Sequence, residues 1–379
     1  MSRTDHSGKG IDGSRYRTQR VWLDHLRILA GLPYPSWALI PVVMALIRKR
    51  LPGTVASFVW FDQGSAQPLA LWVDPPNAAA YAGFVDHYEK ILVELPLRLM
   101  LDTHGRIIRQ IEHLPEYETS EHYRRVFVPY GIHWGMAGPV SLGGGQVGVA
   151  SLCRPHAEGP YGDLDWDTWA RVTSILGGLG RMENSWLSLS PAPFRREMRV
   201  TTLWLARDGK ILAQGEDSYA LLFFAHAGRF GAPDWMRDDQ LALPQPVRTV
   251  LQSLWQDPRG HVRSELVMDL NYCSIRFVLE KMPVRALAEE SVVSLSIHHR
   301  QKLDLALAEA LWGWPMSPQE KRIVIASARH PSLGDLARVL GLTVGTLKSY
   351  INRLQRRFNV DSRDELIAQV MADSSDSGI

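Results

Sequence analysis

Apolar positions along the chain change period several times, and each change marks an expected element. Residues 20–30 and 36–49 carry apolar side chains three and four apart, the spacing of amphipathic helices. Residues 54–61, rich in Val, Phe and Trp, read as a strand; a turn at 62–65 and a second strand at 68–73 follow. The helical period returns over 77–93. Two β-like runs at 131–141 and 146–154 flank a triple glycine at 143–145, and a helix is expected over 163–184. Pro191 and Pro193 mark a linker at 188–194. Beyond it, strands at 201–206 and 210–214 form a hairpin about Asp208-Gly209. Helices at 217–227 and 247–255, strands at 261–269, 272–281 and 292–299, and a short helix at 303–311 complete this part.

The last stretch, from Pro315 onward, punctuates its helices most clearly. Ser317-Pro318-Gln319-Glu320 is a capping box with proline at the first helical position. Ser332 caps a second helix, with Asp335 three residues on. Gly341 suits a left-handed turn, and Thr343 caps a third helix over 344–358. Ser362 and Glu365 form a further box ahead of a fourth helix. The third helix spaces Leu347, Ile351, Leu354 and Phe358 as one apolar stripe, expected to pack on Ile323, Val324, Leu336 and Leu340. Its remaining surface carries Lys348, Arg353, Arg356 and Arg357 and no acidic residue.

A helix with one buried stripe and a basic remainder, set behind a tight turn from a preceding helix, is a pattern for entering a DNA groove. Lys348 and Asn352 have donors for guanine or adenine edges. Thr346, Ser349 and Tyr350 lie beside them. Arg353, Arg356 and Arg357, toward the far end, suit phosphates. A charged helix face alone is also what solvation produces; the caps and the turn chemistry set this one apart.

These residues resemble the LuxR/GerE-type helix-turn-helix family. The matching positions are Met316-Ser317 with Glu320, Asp335-Leu336-Ala337, Thr343-Val344-Gly345-Thr346-Leu347-Lys348, Arg357-Phe358 and Arg363-Asp364-Glu365-Leu366. The match spans the C-terminal domain, about a sixth of the chain. Tyr350 stands where the family usually has His, and Asp335 where it has Glu. The resemblance implies DNA contacts at Thr346 and Lys348 and a dimer contact from the fourth helix. By element order alone, the first unit is similar to a GAF domain and the second to a PAS domain. The expected organisation is α+β multidomain: a loose N-terminus at 1–19, a GAF-like antiparallel-sheet sensor at 20–187 and a PAS-like domain at 195–300. A linker helix at 301–314 then leads to an all-α, four-helix LuxR-type unit at 315–373.

Composition narrows the function. The chain has 379 residues, 45% hydrophobic and 22% charged, and a net charge of only +2, so any nucleic-acid affinity is local. From 315 to 373 there are nine Lys/Arg against six Asp/Glu, a net +3. Cys153 and Cys273 have no metal spacing and are expected to be buried thiols. No apolar run is long enough to span a membrane and no signal peptide is apparent, so a cytoplasmic protein is expected.

Other motifs carry less. Gly143 to Gly148 satisfies a dinucleotide-binding glycine pattern but lies between two β-like runs, where a hairpin loop is expected. His104, His113, His122 and His133 lack ligand spacing, and His298-His299 on a strand would face opposite ways. Trp60, Trp72, Trp134 and Trp204 suit either a core or the wall of a ligand cavity. No catalytic or cofactor motif appears, so the chain is expected not to be an enzyme. The expectation is a transcription regulator that binds double-stranded DNA as a homodimer on a pseudo-palindromic site, with a small-molecule effector or partner sensed in front. The alternatives are front modules that serve only protein–protein contact, or an unrecognised catalytic activity.

Overall fold

Two antiparallel sheets and a helical C-terminal unit make up the computed structural model. It describes residues 13–62, 68–75, 117–121, 123–143, 146–181, 187, 192–195, 199–215, 217–226, 243–257, 259, 261–282 and 292–376. The helix expected at 77–93, three of the four spaced histidines (104, 113 and 122) and most of the 188–194 linker lie outside the described residues.

Helix α1 (Gly13–Ala30) begins ahead of residue 20, and α2 (Ser36–Arg50) follows a short turn. Strands β1 (Val55–Asp62), β2 (Pro68–Asp74), β3 (Trp134–Gly143) and β4 (Gln146–Arg154) form the first sheet in the order β2-β1-β4-β3. Helix α2 packs on β1 and β2, while α3 (Asp163–Leu176) packs on β3 and α1. Helix α3 stops at Leu176, short of the expected 184, because Gly177 and Gly178 follow and Gly180 turns left-handed at φ 71°. On either side of the triple glycine, β3 and β4 pair antiparallel, with Gly143 opposite Gln146. The last glycine of the pattern has a packing reason: a Cβ on Gly148 would lie 2.1 Å from the buried Phe58 ring.

The second sheet contains β5 (Arg199–Leu205), β6 (Ile211–Gln214), β7 (Arg263–Asp269), β8 (Cys273–Met282) and β9 (Val292–Gln301), ordered β6-β5-β9-β8-β7. Leu203, Leu205, Ile275, Phe277, Leu279, Leu295 and Ile297 alternate onto its buried face. Helix α4 (Ser218–His226) packs on β5 and β9, and α5 (Gln245–Gln256) on β7. His299 is buried, stacked on Phe224 with centroids 5.2 Å apart, whereas its neighbour His298 occupies the other face. The four tryptophans singled out from the sequence do not converge. Trp60 and Trp72 are core, Trp134 stacks on His156 and Trp204 is exposed. Cys153 and Cys273 are buried and form no disulfide.

The sheets are joined through α4. The Tyr219 hydroxyl donates to the Leu71 carbonyl at 3.0 Å, and Phe223 meets Trp72 at 5.0 Å between ring centroids. From β9 the chain passes into α6 (Leu303–Ala310), then α7 (Pro318–Ser327), α8 (Leu333–Val339), α9 (Val344–Phe358) and α10 (Arg363–Asp376). Helix α7 packs on both α1 and α6, and α10 packs on α6. Leu366, Val370 and Met371 of α10 are therefore buried within the chain. A dimer contact through this helix, as the resemblance implied, would use its exposed side or displace α6.

Two buried polar contacts fix α7 against the front of the molecule. Near its start, His25 of α1 bonds the Ala308 carbonyl through Nε2 at 2.8 Å. Since a carbonyl only accepts, Nε2 carries the proton and Nδ1 is left to accept from the Lys321 ammonium, 3.4 Å away. Burial, aided by the Lys321 charge, takes the His25 ring down to about 3, so it is neutral. Just past the end of α7, Arg329 Nε donates to Asp304 at 2.6 Å and Arg329 Nη2 to the Tyr34 hydroxyl at 2.7 Å. The Tyr34 hydroxyl spends its one proton on the other Asp304 oxygen, at 2.6 Å. Eight residues of helical rise separate Lys321 from Arg329, roughly 12 Å, so α7 is held at both ends.

Candidate nucleic-acid interface

The helix starts are those that the sequence announces, with two adjustments to the boxes. Ser317 accepts from the Glu320 amide at 3.3 Å, and Glu320 accepts in return from the Ser317 amide at 2.7 Å, a complete box. Ser332 caps α8 by accepting from the Asp335 amide at 3.1 Å, but Asp335 takes the Ser332 hydroxyl proton at 2.8 Å instead of closing a box. Ser362 accepts from the Glu365 amide at 3.1 Å, while the Glu365 carboxylate reaches back to the Asp361 amide at 2.7 Å, one residue earlier than a box requires. Gly341 takes φ 63°, and Thr343 accepts from the Thr346 amide at 3.1 Å to open α9. Asn359 closes α9 in the left-handed region at φ 53°.

Leu347, Ile351 and Leu354 bury one side of α9 in the core shared with Ile323, Val324 and Leu336. The opposite side is open: Thr343, Val344, Gly345, Thr346, Lys348, Ser349, Asn352, Arg353, Arg356 and Arg357 are exposed, and Tyr350 is half-buried. Thr346 shares a hydroxyl–hydroxyl hydrogen bond with Thr343 at 2.9 Å, and Ser349 donates back to the Gly345 carbonyl at 3.1 Å, which leaves the Ser349 oxygen as an acceptor. Lys348, Asn352 and Arg356 have no partner among the described residues.

The structure separates the three arginines that sequence spacing treats alike. Arg353 Nη2 donates to Glu320 Oε1 at 3.1 Å, with its guanidinium 4.7 Å from the centre of the Tyr350 ring. Arg357 Nη1 lies 3.7 Å from Glu320 Oε2, its Nη2 donates to the Pro315 carbonyl, and its guanidinium sits 5.2 Å from the Phe358 ring centre. Glu320 is 5% exposed, against 59% for Arg353 and 43% for Arg357. Burial would raise the Glu320 carboxyl, but the Ser317 amide and hydroxyl and the Arg353 guanidinium hold it below its usual range. Glu320 is the residue behind this face whose contacts the sequence reading missed beyond its cap. The available signal was one acid in the first helix facing a helix that has only cations.

No known protein-family pattern matches the chain, and no curated protein does. Among solved structures, the chain is similar to VqmA bound to DPO at 15% identity, covering 45% of this chain and 84% of that one with a TM-score of 0.16. Among the described residues, no helix is long and apolar enough to cross a membrane.

Proposed function

We propose that the chain is a DNA-binding transcription regulator. In this reading a LuxR-type helix-turn-helix at 315–373 is governed by a GAF-like module at 20–187 and a PAS-like module at 195–300, which sense a small molecule or a partner. The observation that carries it is the open face of α9. Thr343, Thr346, Lys348, Ser349 and Asn352 stand together on solvent at the N-terminal half of a helix with no acidic residue, behind the Gly341 turn. Hydrogen-bonding side chains at that end of such a helix can meet base edges while the cations meet phosphate. The 2-1-5-4-3 order of the second sheet, two strands and then three with helices between, supports the PAS-like assignment.

A homodimer on a pseudo-palindromic site follows, because two such helices supply the affinity that one lacks. A signal in the front modules acts only through different affinities for two arrangements of the chain. The test is DNA binding by the full chain across a salt series. With about three or four phosphates neutralised per protomer, log K should fall against log salt with a slope of about −5 to −7. Affinity indifferent to salt refutes the reading. Native mass spectrometry of the chain from its host tests the sensing arm: a retained small molecule supports it.

A further inference from the structure

Of the four cations on α9, two are held inside the protein's own frame and two are free of partners among the described residues, and one buried carboxylate makes the division. Glu320 sits at the third position of α7, where its backbone role as a cap already fixes its side chain. From there it reaches Arg353 and Arg357, one turn apart on α9, so both guanidinium groups lean on the same carboxylate. Each has a second hold. Arg353 lies over Tyr350, and Arg357 bonds the Pro315 carbonyl beside Phe358. Lys348 and Arg356 have no such restraint among the described residues.

We propose that Glu320 is a positioning and specificity residue for nucleic-acid binding: it pins Arg353 and Arg357 as struts between α7 and α9. The inference rests on the DNA-binding reading and deepens it. Two consequences follow. The direction of α9 relative to α7 is set by one carboxylate that hydrogen-bonds Arg353 and pairs with Arg357, and the cationic charge offered to the phosphate backbone is kept low. Non-specific binding is almost wholly phosphate electrostatics, so taking two arginines per protomer out of play weakens binding to every sequence alike. The contacts from Lys348 and Asn352 then decide a larger share of the total.

Glu320→Gln in the full chain tests this. The glutamine oxygen can still accept from the Ser317 amide, so the cap survives, while the charge that restrains both guanidinium groups is gone. The probes are a duplex enriched by the wild-type chain from a random-sequence pool and a shuffled duplex of equal length. Release of both arginines should steepen the salt slope by up to about 1.8 per protomer and shrink the affinity ratio between the two duplexes. Adding Arg353→Met and Arg357→Met to E320Q should return the slope toward the wild-type value.

An unchanged slope and ratio in E320Q overturns the proposal while leaving the DNA-binding reading intact. Absence of salt-dependent binding by the wild-type chain overturns that reading, and this inference with it. If E320Q does not fold, side-chain NMR of the wild-type arginines decides. The Arg353 and Arg357 Nε–H signals should hold their positions when the enriched duplex is added, while that of Arg356 moves. Equal movement of all three refutes the proposal.

Discussion

Arg329→Met strikes directly at the union between the front modules and the C-terminal helices. The Arg329 and Asp304 side chains are 4% and 0% exposed, so the pair is fully withdrawn from water. In the variant, Asp304 keeps the Tyr34 hydroxyl but loses the guanidinium, and a buried carboxylate is left without its counter-charge. Breaking such a pair from one side costs about 3–5 kcal/mol, which is roughly two to four powers of ten in an opening equilibrium. The assay is amide hydrogen exchange of the full chain, read on peptides from α1 and α7. Exchange there should accelerate by that factor, with the interior of the first sheet as an internal reference. The double variant D304L/R329M strands no charge but leaves the buried Tyr34 hydroxyl without either partner, so it should recover part of the loss, to within about 1–3 kcal/mol of wild type. If R329M exchanges within about tenfold of wild type, or if the double variant is as poor as the single, the stranded charge is not the cause and the reasoning fails.

Lys348→Ala should cost about 1–3 kcal/mol on an enriched duplex and relax base preference; an equal loss on every duplex assigns Lys348 to phosphate instead. Burial, then the Arg50 charge, brings the Lys321 ammonium from 10.5 down to about 8. Between those values the unfolded chain binds more protons than the folded one. Wild-type stability relative to Lys321→Met should therefore rise as pH climbs from 8 to 10.5, with the full handicap present below 8. Chemical denaturation of both proteins at the two ends of that window checks this, and a fall across it contradicts the assignment. Gly148→Ala should lower stability by about 1–3 kcal/mol, because its Cβ would press into the Phe58 ring; an unchanged melting temperature would mean that the ring moves freely.

Much of the architecture was legible one element at a time. The second-sheet strands fell within a few residues of their periodic runs, and the C-terminal helices began at Ser317, Ser332 and Thr343 because a cap is a local hydrogen bond. The early stop of α3 was equally readable in Gly177-Gly178, though helical periodicity alone ran past it. The exposed set at the start of α9 was legible too, since one apolar stripe dictates what remains outside.

The long-range pairings were not legible. Arg353 and Glu320 are 33 residues apart, and Arg329 and Tyr34 are 295 apart. Among the described residues, the sequence by itself determined most of the segments that are helix or strand, which face of each is apolar, and that α9 carries only positive charge. Only the tertiary structure decided which of those charges are spent inside the protein. It also decided that α10 lays its apolar face on α6, and that α7 is clamped at both ends by side chains from α1, α6 and the turn before α2. The physical reason is that caps and periodicity act over three or four residues. A buried charge, by contrast, takes whatever partner the packing of distant faces brings within about 3 Å.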